Sequence, residues 1–253
     1  MNMIELSNIQ KIMNGKTILD NINIKVNKGE FISIVGPQAC GKSSILRIIS
    51  GLDQVTRGTV KIQGKEIKGH HPKVGLIFQE TLLFPWLKIY ENITFGPISR
   101  GMDKDKAFKE ANDWLKLFGL EKFGDKWPYE LSGGMQRRVT IAMNMINNPE
   151  ILLCDELLGG LDLITRHSIA DEFLKLWFEK KPTIIYITHL LEEAVYLSQK
   201  VYLMSAKPGK IHEKFDIKLP EKRWEVQNMR FTPEFAKYVN DLRDKFLEVI
   251  EIE

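Results

Sequence analysis

Only two of the 253 residues are cysteines, so a disulfide framework does not organise this chain. Cys40 sits in a glycine-bearing loop and Cys154 ends an apolar run, which suits a reduced compartment. No uninterrupted apolar stretch approaches the roughly 18 residues of a membrane helix, and Met1 to Glu5 shows no signal-peptide pattern. A cytosolic or membrane-peripheral protein is expected. The formal net charge is only +3 and the lysines are interspersed with acids, so no basic run marks a nucleic-acid surface, and no nucleic-acid partner is expected. Internal repeats and low-complexity stretches are absent, as is an Asn-Lys-x-Asp guanine motif.

With 43% hydrophobic and 27% charged residues, the chain is long enough for one large α/β core with a subdomain, or for two small domains. Short β patterns alternate with turns at the start: Ile4 to Leu6, a turn at Asn14-Gly15, Ile22 to Val26, Lys28-Gly29, then Phe31 to Val35. Gly58 and Gly64 bracket a further strand, Thr59 to Gln63, and Val74 to Phe78 reads as another. An antiparallel sheet packed beside a larger core is predicted. From Phe84 to Asn148 the signals turn helical. Ala107, Phe108, Ala111, Trp114, Leu115 and Phe118 share one helix face, and Val139, Ala142, Met143 and Ile146 share another. The apolar runs Ile151 to Cys154 and Thr183 to Ile187 lack alternation, as expected of parallel strands covered on both faces, and a helix around Ile164, Ile169, Phe173, Leu176 and Trp177 joins them. The end reads as an amphipathic helix opened by Thr232-Pro233.

The loop Gly36-Pro37-Gln38-Ala39-Cys40-Gly41-Lys42-Ser43-Ser44 matches G-x-x-x-x-G-K-[ST] in full, between an apolar strand and a helical pattern ending at Gly51. Gly36 and Gly41 allow a tight turn, successive N–H groups face phosphates, and the helix adds its positive end. Lys42 is placed to neutralise β/γ oxygens and the Ser43 hydroxyl to ligate Mg²⁺. A thiol among those donors predicts a favoured Cys40 thiolate whose alkylation blocks ATP binding.

Asp155 and Glu156 end a buried strand, where ligands bind in open α/β sheets. Asp155 would hold the Mg²⁺ hydration shell and Glu156 would orient and deprotonate the attacking water. His189 leaves its strand on the same edge and is read as a γ-phosphate contact. Gln79 would reach that edge as a ligand of Mg²⁺ or water, or simply as a polar strand end. In Leu131-Ser132-Gly133-Gly134-Met135-Gln136, Ser132 and the N–H groups of Gly133 and Gly134 start a helix, a second anion site that one chain cannot aim at its own ATP.

This set of motifs resembles the nucleotide-binding subunits of ABC transporters over nearly the whole chain. Gly36 to Ser44 resembles the Walker A loop, Gln79 the Q-loop, Leu131 to Gln136 the signature, Leu152 to Glu156 the Walker B strand, Gly160-Leu161-Asp162 the D-loop and His189 the switch histidine. The resemblance implies an α/β P-loop NTPase of the ABC ATPase type, with an antiparallel β subdomain, an inserted helical signature subdomain at 84–149 and a helical tail at 216–253, all within one domain, 1–253. It implies ATP and Mg²⁺ as cofactors, and a head-to-tail dimer in which Ser132, Gly133, Gly134, Gln136 and Asp162 complete the partner's ATP site. It further implies a permease dimer, an extracytoplasmic solute-binding protein, and a place on the cytoplasmic face of the membrane.

Phe78-Gln79-Glu80, Leu83-Phe84-Pro85-Trp86, Leu131 to Arg138 and Lys207-Pro208-Gly209-Lys210 resemble the importer group for nitrate, sulfonates and taurine. Gln79 through Trp86 to Glu91 resembles the surface that receives a permease coupling helix. Phe84 and Trp86 are either an exposed partner patch or core packing. A soluble ABC module acting on nucleic acid or ribosomes is the alternative function. Several positions depart from the family pattern: Gln38 and Ala39 in the phosphate loop, Leu157 after the glutamate, Leu190 after the histidine, and Met13 where an aromatic side chain normally stacks on adenine.

Overall fold

The computed structural model describes residues 2–251; Met1, named above in the signal-peptide reading, lies outside them. β1 (Asn2–Met13) and β2 (Lys16–Asn27) form a hairpin through Asn14 and Gly15. Both turn residues have positive φ, 49° and 74°, the geometry that matches the twist of a two-residue hairpin. β3 (Phe31–Val35) and α1 (Lys42–Ser50) follow, then β4 (Arg57–Ile62), β5 (Lys65–Glu66) and β6 (Val74–Ile77). The antiparallel sheet has the order β2-β1-β4-β5.

α2 (Ile89–Ser99), α3 (Lys104–Leu117) and α4 (Gly133–Met145) occupy the stretch before β7 (Ile151–Asp155). On α3, Ala107, Ala111 and Leu115 are buried at the spacing of one helix face. α5 (Leu163–Lys180) leads to β8 (Thr183–Ile187), and α6 (Leu191–Leu197) to β9 (Lys200–Ser205) and β10 (Lys210–Asp216). α7 (Pro233–Glu251) opens with Thr232, whose hydroxyl accepts from Phe235 N at 3.3 Å, as the Thr-Pro signal predicts.

The larger sheet has the order β10-β9-β3-β8-β7-β6, with β10 alone antiparallel. Its two faces explain why the central runs lack polar alternation. Ile32, Ile34, Ile151, Leu153, Ile185 and Ile187 face the core formed with α1 and the antiparallel sheet. Phe31, Val35, Leu152, Cys154, Ile184 and Tyr186 face the core formed with the helices. Both sides are covered, so both sides are apolar. Phe31 anchors the second core, edge-on to Phe173 and Trp177 with ring centroids 5.8 Å apart in each case.

α5 is the helix predicted around Ile164, Ile169, Phe173, Leu176 and Trp177, and of these residues Ile164 alone is exposed. It is 82% exposed in the first turn of that helix, beside the 60% exposed Leu163, whereas Ile169, Phe173, Leu176 and Trp177 are buried. β9 and β10, with α6 between β8 and β9, lie in a stretch for which the sequence reading assigned no elements. The apolar run Val201 to Met204 followed by Pro208-Gly209 was the available signal.

Candidate functional site

The register of the parallel strands puts four polar strand ends along one edge. β3 runs into the phosphate loop, β8 into Thr188 and His189, β7 into Asp155 and Glu156, and β6 toward Gln79, in the spatial order β3-β8-β7-β6. A common direction for the strands makes this edge the carboxyl end of all four, where α/β sheets bind ligands.

Within the phosphate loop, Gly41 has φ 97°, a conformation that side chains rarely adopt, and a Cβ there would also meet Leu19. Gly36 is required for another reason: its Cβ would lie 2.8 Å from the carbonyl oxygen of Met204 on β9. Ala39 itself takes a left-handed conformation at φ 59°. Lys42 is buried, and its Nζ donates to the carbonyls of Gly36 at 2.9 Å and Pro37 at 2.7 Å. The loop therefore surrounds the ammonium group at the start of α1, where free N–H groups and the helix dipole favour an anion.

Cys40 overturns the thiolate reading. Its side chain is 1% exposed, and burial pushes the thiol above its usual range despite the opposing pull of Lys42. Desolvation of the charged form outweighs one nearby cation here. Gln38 is exposed in the same loop, as is Met13 at the end of β1.

The Ser43 hydroxyl donates to the Asp155 carboxyl, whose pKa is raised chiefly by burial and lowered in part by that bond. Glu156 holds two partners with its two oxygens. Gln79 Nε2 donates to Oε2 at 2.8 Å, and His189 Nδ1 lies 3.2 Å from Oε1. Its backbone sits at φ 45° and is fixed by Glu156 N donating to Ile187 O, 2.9 Å, and by Gly159 N donating to Glu156 O, 2.9 Å. A left-handed glutamate costs on the order of 1–3 kcal/mol and persists only where the surroundings over-determine it. Leu157 and Leu158, next in sequence, are fully buried and pin the turn from the other side.

Among the described residues no group of three or more His, Cys, Asp or Glu is arranged to hold a metal. A hydroxyl and one carboxylate in contact, with a phosphate loop beside them, instead fit Mg²⁺ sharing its shell with water and phosphate oxygens.

The second anion site lies at the start of α4. Ser132 is its N-cap, accepting from Met135 N at 3.4 Å, and Ser132 and Gly133 are exposed. Gly134 is buried; a Cβ there would lie 2.7 Å from Thr165 Cγ2, so close packing of α4 on α5 demands glycine. Gln136 Nε2 donates to the carbonyls of Pro128 and Leu131, at 2.9 and 3.1 Å, holding the preceding loop. Asp162 caps α5, accepting from Thr165 N at 3.0 Å. The sequence reading did not single out Arg137, which is buried on α4 and donates to Gly159 O at 3.4 Å. A basic residue inside an apolar helix face was the signal available for it.

A strand-loop-helix phosphate cradle, two carboxylates ending the next strand but one, and a histidine between them define a P-loop nucleotide hydrolase. The family model described as "ABC transporter" matches residues 19–159. An uncharacterised ABC transporter ATP-binding protein of Methanocaldococcus jannaschii is 41% identical over 254 residues, covering 98% of this chain and 94% of its own length. An aliphatic sulfonates import ATP-binding protein of Bacillus cereus is 44% identical over 207 residues, covering 81% of each chain. A solved dimeric ATP-binding cassette in a post-hydrolysis state, bound to ADP and phosphate, superposes with a TM-score of 0.76 at 31% identity, covering 86% of this chain and all of that one. The chain belongs to the ABC transporter family, as an ATP-binding and ATP-hydrolysing subunit.

Proposed function

We propose that the protein powers an importer for a small anion of the nitrate, sulfonate or taurine type, working at the cytoplasmic face of the membrane. The observation that carries its ATPase chemistry is Glu156 held between Gln79 and His189 beside the Ser43–Asp155 pair. ATP phosphates sit in the loop Gly36 to Ser44, with Lys42 neutralising the β and γ oxygens. Ser43, Asp155 and Gln79 would hold Mg²⁺, which would supply positive charge to neutralise those phosphates. Glu156 orients the attacking water and accepts its proton. His189 contacts the γ-phosphate. Two copies pair head to tail, so that Ser132, Gly133, Gly134, Gln136 and Asp162 of one copy close the ATP site of the other. Met13 covers the adenine through its polarizable thioether. The segment 84–149 carries the signature, and the described part of the tail at 216–253 packs on the core through Phe235, Val239 and Leu242.

The import reading is supported by the sulfonate-import relative and by the patch around Trp86. Trp86 is 69% exposed and lies against Phe84, with Phe95 beside it. Three aromatics clustered at the surface suit the coupling segment of a permease, and an extracytoplasmic solute-binding protein would deliver the anion to that permease. Among the described residues no helix is long and apolar enough to cross a membrane.

The test is recovery of the tagged protein from its native membranes in mild detergent, with mass spectrometry of co-purifying chains, beside Trp86→Ala. A stoichiometric polytopic protein, lost on that substitution, is expected. Ribosomal or DNA-associated proteins in its place would overturn the importer reading in favour of a soluble module.

A further inference from the structure

The turn that displays His189 is held from beneath by a glutamate that the ATPase reading leaves without a task. Glu193 on α6 is 9% exposed. Its Oε2 accepts from Thr188 Oγ1 at 2.8 Å and from Tyr186 Oη at 3.1 Å. Thr188 Oγ1 in turn accepts from Leu190 N at 3.0 Å. The residues on either side of His189 are thus tied to one carboxylate.

The other oxygen of Glu193 points elsewhere. Oε1 lies 3.5 Å from Arg166 Nε on α5, yet both atoms are buried without a hydrogen-bond partner. Arg166 Nη2 donates to the carbonyl of Leu161 at 2.8 Å, next to Asp162, which caps α5. The same two side chains, with His189 and Leu163, line a cleft of about 320 Å³ that opens beside the catalytic edge. Burial raises the pKa of Glu193, while Thr188, Tyr186, Arg166 and His189 each pull it down. A buried charge with an unfilled oxygen is costly unless something is gained from it. Apolar packing between α5 and α6 would serve the fold at lower cost.

We propose that Glu193 and Arg166 are positioning residues for hydrolysis, linking the Leu161–Asp162 turn to the Thr188–Leu190 turn so that His189 is aimed at the γ-phosphate only when both turns are in place. The link has three steps: Leu161 O to Arg166, Arg166 to Glu193, and Glu193 through Thr188 to the backbone that carries His189. The inference rests on the reading of His189 as the γ-phosphate contact. It adds a route by which the segment around Asp162 sets the rate within its own chain.

The experiment is steady-state ATP hydrolysis by the full chain. Glu193→Gln keeps an acceptor for Thr188 and Tyr186 but removes the charge facing Arg166, and Arg166→Met keeps the aliphatic stem. Each is expected to lower kcat about 10- to 100-fold, the scale of a small misplacement of a reacting group, with the KM for ATP unchanged. The double variant should be no slower than the slower single variant, because both changes break one link. Glu193→Gln should add nothing in a His189→Ala background.

Additive losses, an equal fractional loss in the His189→Ala background, or an effect confined to KM or Tm would each overturn the proposal. If Glu193→Gln does not fold, Thr188→Val removes the same link at its next step, and an unchanged kcat for that variant would overturn it. The two readings fail separately. Wild-type kcat in His189→Ala removes the role of His189 itself, whereas a slow His189→Ala with a normal Glu193→Gln removes only the link.

Discussion

His189 Nδ1 lies 3.2 Å from Glu156 Oε1, which joins the ends of β8 and β7 through side chains. The adjacent oxygen belongs to Gln79 at the end of β6, so three neighbouring strands meet on one carboxylate. A group with both oxygens held is positioned before substrate arrives, and that favours proton transfer from a water at one defined place.

Glu156→Gln keeps the size of the side chain and its contact with Gln79 but removes the base. ATP binding is expected to persist while hydrolysis falls about 10²- to 10⁴-fold, the usual worth of a general base. Size-exclusion chromatography with light scattering should then show a dimer that accumulates with ATP and disperses with ADP. A monomer at saturating ATP would contradict the paired arrangement.

Cys40 and Cys154 are both buried, and burial raises the pKa of each. The thiolate is the reacting form, so native protein should be alkylated slowly at neutral pH, faster as pH rises toward the thiol range, and fully only in denaturant. Mass spectrometry after iodoacetamide treatment, with and without ATP, would measure this. Rapid labelling of Cys40 at neutral pH, blocked by ATP, would restore the activated thiolate.

Gly209 borders the phosphate loop from outside the motif. A Cβ there would overlap the carbonyl oxygen of Cys40, a backbone atom that cannot rotate away. Gly209 N also donates to Ile18 O, and Asp20 N donates to Gly209 O, fixing the turn against β2. Gly209→Ala should push the loop outward, costing about 1–3 kcal/mol by overpacking and weakening ATP binding with the fold retained. Calorimetric titration of ATP and a thermal melt would separate the two effects.

Ala39 carries a left-handed backbone with a side chain that does not favour it, at φ 59°. Ala39→Gly removes a penalty of about 1–2 kcal/mol in the folded loop, offset by the greater freedom of glycine in the unfolded chain. A change in Tm close to zero or slightly upward is expected, together with faster ATP association measured by stopped flow. A fall in stability comparable to a core cavity would show that Ala39 packs in a way its backbone angle does not reveal.

Local chemistry was enough to locate the phosphate loop, the two carboxylates where β7 ends and the serine cap of α4. Each depends on neighbours in sequence: a glycine where the backbone must turn, a strand before, a helix after. The same locality misled at Cys40, where a nearby lysine and several N–H donors pointed to a thiolate. Whether those neighbours or desolvation prevails depends on what covers the loop, and Met204 and Gly209, which press on it, lie more than 160 positions away. The α5 helix was legible from its apolar residues, but which of them are covered was not, and Ile164 is exposed where Ile169 is buried.

The amino-acid sequence by itself determined the class of chemistry, because phosphate recognition needs a short contiguous segment whose residue types are dictated by backbone geometry and charge. Only the tertiary structure decided which groups act together. Gln79, Glu156 and His189 come from three strands and meet because parallel register brings their ends to one edge. Arg166 and Glu193 come from two helices, and their buried ion pair, made without a hydrogen bond between the facing atoms, exists only in the packed fold. Hydrogen bonds reach about 3 Å, and residues tens of positions apart come within that distance only when the chain has buried the sheet between its helices.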